Sequence, residues 1–401
     1  FLHALNYTMV LPGPEAQQLA TYIGWLMHGV WGGIAAGVLF VLPSLFILIA
    51  LTWIYLSYGD VPAVAGILYG IKPAVTAIVV FAAYRIGSRA LKNNLLRAMA
   101  VLAIIAIFAL DVPFPYIVLM AGIIGYVGSH VAPDKFRAGG HHGESGETYG
   151  PALIDDDTPV PALARFNIVR LAAITLSGLL IGGAVLYALA VTYGWEGTLT
   201  QMGVFFTKAA LVTFGGAYAV LAYMAQEVVQ GYGWLSAGEM IDGLGLAETT
   251  LGPLILVTEF VGFLAAFREE GGGGLLLSIA GAVVTLWATF APCFLWIFAG
   301  APYVEHLQHA VRLRAALAAV TAAVVGVILN LSLWFGLRVL FGQFETVDLG
   351  MLSLEVPVLH SLDWKAAALS VLAGIALFGF RAGVMVTLIV SAAASFALSF
   401  V

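Results

Sequence analysis

The sequence predicts an all-α fold: a polytopic transmembrane helical bundle of two inverted-topology repeats with broken or re-entrant helices. Three observations predict it. First, 62% of the 401 residues are hydrophobic and only 9% are charged, against about 25% charged in an ordinary soluble domain. So few polar side chains cannot cover a water-facing surface. Second, the apolar residues gather into runs of the length that crosses a bilayer as a helix, roughly 20 residues. Third, short motifs in the first half of the chain recur in the same order in the second.

In chain order the runs are 33–55, 66–84, 95–110, 113–131, 168–193, 203–224, 275–298, 315–337, 366–380 and 382–401. The third and fourth form a tight pair around the turn Asp111-Val112-Pro113. Two further stretches, 10–28 and 244–267, are apolar but interrupted by glycine and proline. The segment 132–167 differs from all of these. It carries His141, His142, Glu144, Glu147 and the acidic run Asp155-Asp156-Asp157 among Gly and Pro, and reads as a solvated linker. The paired histidines are a weaker hint of a metal. The expected organisation is therefore a membrane repeat over 1–131, a cytoplasmic linker over 132–167 and a second membrane repeat over 168–401. Phe1 lies inside an apolar stretch with no charged leader before it, so the first repeat is expected to continue upstream.

Basic residues set the orientation. Arg85, Arg89, Lys92 and Arg97 crowd one short loop, and Lys135, Arg137, Arg165 and Arg170 flank the linker. A two-span hairpin joins these regions, so they share the cytoplasmic side. Continuing the count puts 193–201 and the acidic stretch 345–363 outside, and Arg312, Arg314 and Arg381 inside.

The recurrent motifs are Leu11-Pro12-Gly13-Pro14 with Thr250-Leu251-Gly252-Pro253, and Tyr22-Ile23-Gly24-Trp25-Leu26 with Phe260-Val261-Gly262-Phe263-Leu264. Leu42-Pro43-Ser44 follows with Ala291-Pro292-Cys293, then Ala74-Val75-Thr76-Ala77 with Ala319-Val320-Thr321-Ala322. Under the orientation above, the segment after Pro14 and its counterpart after Pro253 run in opposite directions. Inverted repeats of this kind are common among secondary transporters.

Matching Gly-Pro interruptions in two halves point to a transport site. Proline removes a backbone donor and fixes φ, so a helix starts afresh near Pro14 and near Pro253. A helix N-terminus carries partial positive charge and free N–H groups, which favour an anion. Gly13, Pro14, Gly252 and Pro253 are therefore substrate-site candidates, with Gln17, Gln18, Thr249 and Thr250 as neutral donors. The competing reading is a pair of proline kinks that only shape packing. Lys72 and Lys208 stand inside apolar runs, where a charge marks function unless it snorkels to an interface. Glu15, Glu248 and Glu259 lie in or beside the broken segments and are candidates for proton coupling or for balancing the lysines, Glu15 and Glu248 also being substrate-site candidates. Glu239 and Asp242 read as interfacial. Phe214-Gly215-Gly216 breaks the run 203–224, and two glycines in a helix signal close backbone approach or a re-entrant turn.

Other chemistries find no support. A net charge of −6 argues against nucleic acid as a partner, and a single cysteine, Cys293, excludes an intrachain disulfide or a cysteine cluster. There is no HExxH, GxxxxGK[ST] or GxSxG, so no enzyme, cofactor or ATPase is expected.

On these residues the sequence resembles the chromate ion transporter family in its long, two-domain form. The resemblance runs over nearly the whole chain and is most specific over 11–25, then at Phe214-Gly215-Gly216, Trp234-Leu235 and Gly252-Pro253. It departs at Leu251, where the family pattern has proline. The first-half partner of the Phe-Gly-Gly segment would lie before Phe1. The resemblance implies chromate efflux across the inner (plasma) membrane of a prokaryote, giving chromate resistance. Sulfate, also a tetrahedral dianion, is the expected competitor or exchange partner, and protons are the alternative coupling ion. A sulfate carrier, a passive anion channel and a non-transporting scaffold are the rival readings. The bilayer is the expected partner surface, and a homo-oligomer is compatible with all of them.

Overall fold

The computed structural model describes residues 8, 11–110, 112–131, 136, 167–214, 216–250, 252–269, 274–300, 310–348 and 353–398. Gly215, Leu251, the His141-His142 pair and nearly all of the 132–167 linker lie outside these residues. The described chain is helical almost throughout. Its first half contains α1 (Glu15–Tyr58), α2 (Pro62–Ala90), α3 (Asn94–Phe108) and α4 (Phe114–Val131). After the linker come α5 (Ile168–Tyr193), α6 (Thr198–Val212), α7 (Ala217–Ala225), α8 (Ala237–Glu248), α9 (Val257–Glu269), α10 (Leu275–Gly300) and α11 (Val311–Leu340). A β-hairpin, β1 (Phe344–Asp348) and β2 (Ser353–Pro357), precedes α12 (Trp364–Gly374) and α13 (Val384–Leu398). Among the described residues, α1, α2, α4, α5, α10 and α11 are long and apolar enough to cross a membrane, and three shorter apolar helices accompany them. Their outward faces are apolar side chains such as Leu39, Phe46, Leu102, Leu179 and Ile389, a surface that only lipid solvates well.

Two long apolar stretches do not cross as single helices. In α1 the backbone leaves helical geometry at His28 and Gly29, where Gly29 takes φ +67°, and the chain folds back on itself. A Cβ on Gly24 would stand 2.5 Å from the carbonyl oxygen of Gly32, so the two arms touch backbone to backbone. This reversal falls between the interrupted stretch 10–28 and the run 33–55. The run 203–224 is also broken. Thr213 is extended and Gly216 takes φ +95°, and α6 and α7 lie antiparallel, with the rings of Phe205 and Tyr223 5.3 Å apart. The expected crossing is thus a re-entrant hairpin, because a left-handed glycine ends the helix about midway.

α8 and α9 form a second such hairpin. Arg268, near the end of α9, donates to the carbonyl of Trp234 at 2.9 Å and pairs with Glu239 in the first turn of α8. The Thr198 amide at the start of α6 donates to Glu269 at 3.3 Å. The outer limbs of both hairpins therefore meet at one end of the bundle. α8 has 12 residues and rises about 18 Å, which brings the turn near the middle of a hydrocarbon core about 30 Å thick.

α2 and α11 form the centre. α11 packs on α3 and α4, while α2 packs on α12 and α13, and the two touch each other. Without a hydrophobic drive between helices in lipid, small residues and interhelical hydrogen bonds set these crossings. Gly326 lies on the backbone of Ala100, Gly125 on that of Ala315, and Ser391 and Ser395 each donate at 2.7 Å to the carbonyls of Gly70 and Gly66. The β-hairpin was not expected in the acidic stretch. Thr346, Val347 and Val356 supply the β-branched residues that favour strands, in a register that sets Thr346 opposite Glu355.

Candidate functional site

Three interrupted segments converge where the helices restart. The first is Leu11–Pro14, whose Gly13 takes φ +117°. The second is 213–216, and the third is 249–253. The Gly13 amide donates to the carbonyl of Thr213 at 3.0 Å, which ties the first break to the second. A Cβ on Gly216 would stand 3.8 Å from Glu15 Oε1. From the start of α7, Tyr218 donates to Glu248 at 3.2 Å, which ties the second break to the third. None of the helix starts at Pro14, at Gly216 or at Pro253, where the 3-10 turn Leu254–Leu256 leads into α9, has a side-chain cap. Their first-turn N–H groups lack the side-chain oxygen that usually satisfies such donors.

The long helices then close the site crosswise. A Cβ on Gly13 would stand 2.6 Å from Cys293 Sγ of α10, and one on Gly252 would collide with Ser44 Oγ of α1. The sequence already aligns Gly13 with Gly252 and Ser44 with Cys293. Each half therefore packs its Gly-Pro break against the Pro-Ser or Pro-Cys step of the other half.

The remaining sequence candidates divide. Gln17 and Gln18 are fully buried. Gln17 donates to Thr21 at 3.0 Å and Gln18 to the carbonyl of Pro12 at 2.6 Å. Both amide oxygens are without a hydrogen-bond partner among the described residues. The hydroxyls of Thr249 and Thr250 donate to the carbonyls of Leu246 and Ala247 at 2.7 and 2.8 Å, so their protons are spent on the end of α8. Glu259 is 1% exposed, with neither carboxylate oxygen hydrogen-bonded among the described residues. Phe214 packs against the main core beside the break.

The two lysines are not at the convergence. Lys72 pairs with Asp242 at 3.2 Å, about midway along α8. Lys208 is exposed on α6, within electrostatic reach of Glu227 across the hairpin. A cavity of about 810 Å³ also lies elsewhere. It is bounded by the α3–α4 turn, α11 and the β-hairpin, and lined by Gln226, Asn330, Trp334 and the Arg338–Glu355 pair.

Sequence reasoning missed Asp242, Tyr55, Tyr218, Ser44 and Cys293 as functional neighbours. Asp242 carried a usable signal, a charge within the apolar stretch 240–247. The crosswise contacts carried none, because they depend on how the halves dock.

A family model described as chromate transporter matches residues 1–126 and 200–397. A chromate transport protein of Cupriavidus metallidurans is 28% identical over 95% of this chain and 83% of its own length. One of Pseudomonas aeruginosa is 31% identical over 82% of this chain and 69% of its own length. An uncharacterized transporter of Methanocaldococcus jannaschii is 22% identical over 84% and 75%. No solved structure matches.

Proposed function

The chain belongs to the chromate transporter family, and from that premise we propose that it carries chromate across the prokaryotic inner membrane as a secondary transporter. The observation that carries this reading is the meeting of three uncapped helix starts, at Pro14, Gly216 and Pro253, inside an apolar bundle. Each start offers roughly half a positive charge and unpaired N–H groups. Together they replace part of the hydration of a tetrahedral dianion without placing a full cation in the core. Glu15 and Glu248 border the same place. An ionised carboxylate there repels a dianion, so a proton on either travels with the anion.

We further propose that 1–131 and 168–401 are inverted repeats that rock about this site. Two reciprocities support it. Gly13 faces Cys293 as Gly252 faces Ser44, and α11 receives α3 and α4 as α2 receives α12 and α13. The basic loop 85–97 then faces the cytoplasm and the β-hairpin faces outside, and efflux is the working direction that the family resemblance implies. Single cysteines at Lys92 and Asp348, in a Cys293→Ser chain, are expected to react with an impermeant reagent from opposite sides. Reaction from one side overturns the inverted arrangement.

Flux tests the function. Proteoliposomes loaded with chromate should lose it faster than protein-free vesicles, and faster still with sulfate outside or with a proton gradient directed outward alongside the chromate. Flux that ignores both gradients and rises linearly with chromate favours a channel. No flux above control removes the transport reading.

A further inference from the structure

Lys72 already holds an anion, and that anion belongs to the chain. Asp242 on α8 is 3% exposed. Its Oδ2 accepts from Lys72 Nζ of α2 at 3.2 Å and from Tyr55 OH of α1 at 3.2 Å. Its Oδ1 is buried without a hydrogen-bond partner among the described residues. The cluster thus joins two first-half helices to one second-half hairpin. The neighbouring charges are otherwise engaged. Glu239, one turn earlier on α8, bonds Ser236 and pairs with Arg268 of α9. From α9, Phe260 meets Tyr55 edge-on, with ring centroids 5.3 Å apart. Asp242 stands six residues before Glu248 on α8, about 9 Å along the axis. It therefore lies between the bundle end and the convergence of broken helices.

We propose that Asp242 is a tethered competitor of the transported oxyanion for Lys72, and that a proton on Asp242 releases the lysine to the substrate. The inference rests on the reading of the chain as an oxyanion carrier. The Lys72 side chain is 32% exposed, so an anion can reach it, while the buried Asp242 carboxylate beside it repels that anion unless it is neutralised. A protonated Asp242 remains hydrogen-bonded to Tyr55 but no longer attracts Lys72. Proton at Asp242 and dianion at Lys72 are then coupled ligands, each raising the other's affinity by the same factor. The sign follows directly. Falling pH neutralises Asp242, frees Lys72 and tightens the anion, and rising pH restores the internal pair and expels it.

The probe is sulfate binding to the purified full chain by calorimetry, at about pH 5.5 and about pH 8, a range in which the ordinary ionisations of Arg and Lys do not change. The wild type is expected to bind about tenfold more tightly at the acid end and to take up protons as sulfate is added. Asp242→Asn keeps an acceptor for Tyr55 and Lys72. It is expected to bind more tightly than the wild type at about pH 8, with a shallower pH profile and less proton uptake, the remainder belonging to Glu15 and Glu248. Lys72→Met should lose the acid-end gain and bind at both pH values with the weak affinity that the wild type shows at about pH 8, which the three helix starts supply alone. A wild type that binds sulfate without proton uptake overturns the coupling, and that result needs no variant to fold. An Asp242→Asn protein that melts like the wild type and keeps its pH profile also overturns it. A wild type that binds no sulfate or chromate at either pH removes the carrier reading, and the coupling falls with it.

Discussion

Gly252→Ala is expected to cut chromate flux by about tenfold or more, and Ser44→Gly in the same chain to restore most of it. A Cβ on Gly252 would run into Ser44 Oγ, would stand 2.9 Å from Ser44 Cβ, and would meet the tip of Leu256. The Leu256 tip can turn aside, but the serine is fixed on the α1 backbone beside Pro43. The third break must therefore move away from α1, and displacements of about 1 Å at a positioned site can cost a hundredfold in rate. Removing the Ser44 side chain opens the space, so the double variant should recover flux although each single change loses some. That non-additivity identifies a contact. Gly13 supplies the contrast. A Cβ there meets Cys293 Sγ at 2.6 Å and Gln18 Nε2 at 2.8 Å, and φ is +117°. Cys293→Ala relieves only one of these, because a left-handed backbone resists any side chain. Gly13→Ala should stay inactive with or without it. Full flux in Gly252→Ala, or no recovery with Ser44→Gly, would show that the halves do not meet crosswise at the breaks.

Gly262→Leu and Gly24→Leu are expected to lose folded protein, each through the same lesion in its own half. A Cβ on Gly262 would stand 2.5 Å from the Gly281 carbonyl oxygen and 2.6 Å from the Thr285 side chain, and Gly281 meets Gly262 in return. Gly24 and Gly32 cross in the same manner. Leucine would pry the arms apart along their length. Overpacking alone costs about 1–3 kcal/mol and sometimes more, and here the backbone itself is in the way. The readout is monodispersity and melting temperature in detergent. Gly182→Leu and Gly183→Leu on α5 serve as controls, since a Cβ at either would meet nothing within 4 Å among the described residues. They should melt like the parent. A Gly262→Leu protein that did the same would refute the backbone crossing.

These glycines also show how far the sequence can be read. The pairing of Gly24 with Gly262 was visible as a repeated motif, and so was that of Ser44 with Cys293. Most helices followed from the apolar runs, because a span must be long and continuous. Hydropathy alone reads 203–224 as one run because it averages over a break, and the Phe214-Gly215-Gly216 motif signalled the interruption that Gly216 makes through one dihedral angle. The β-hairpin escaped notice because acidic residues masked its short strands. At the site, Gly-Pro located two of the three breaks and Phe214-Gly215-Gly216 marked the third. Their meeting depends on tertiary docking, which no local pattern encodes. The same is true of Lys72, which reads in sequence as a free cation and in the fold is held by Asp242.

The most direct test of the central claim is a density map of the protein with tungstate, an electron-dense tetrahedral dianion. The account predicts a peak among residues 11–15, 213–218 and 248–253, in reach of the helix starts at Pro14, Gly216 and Pro253. A peak confined to the cavity beside Arg338 and Asn330, with none at the three breaks, would contradict it.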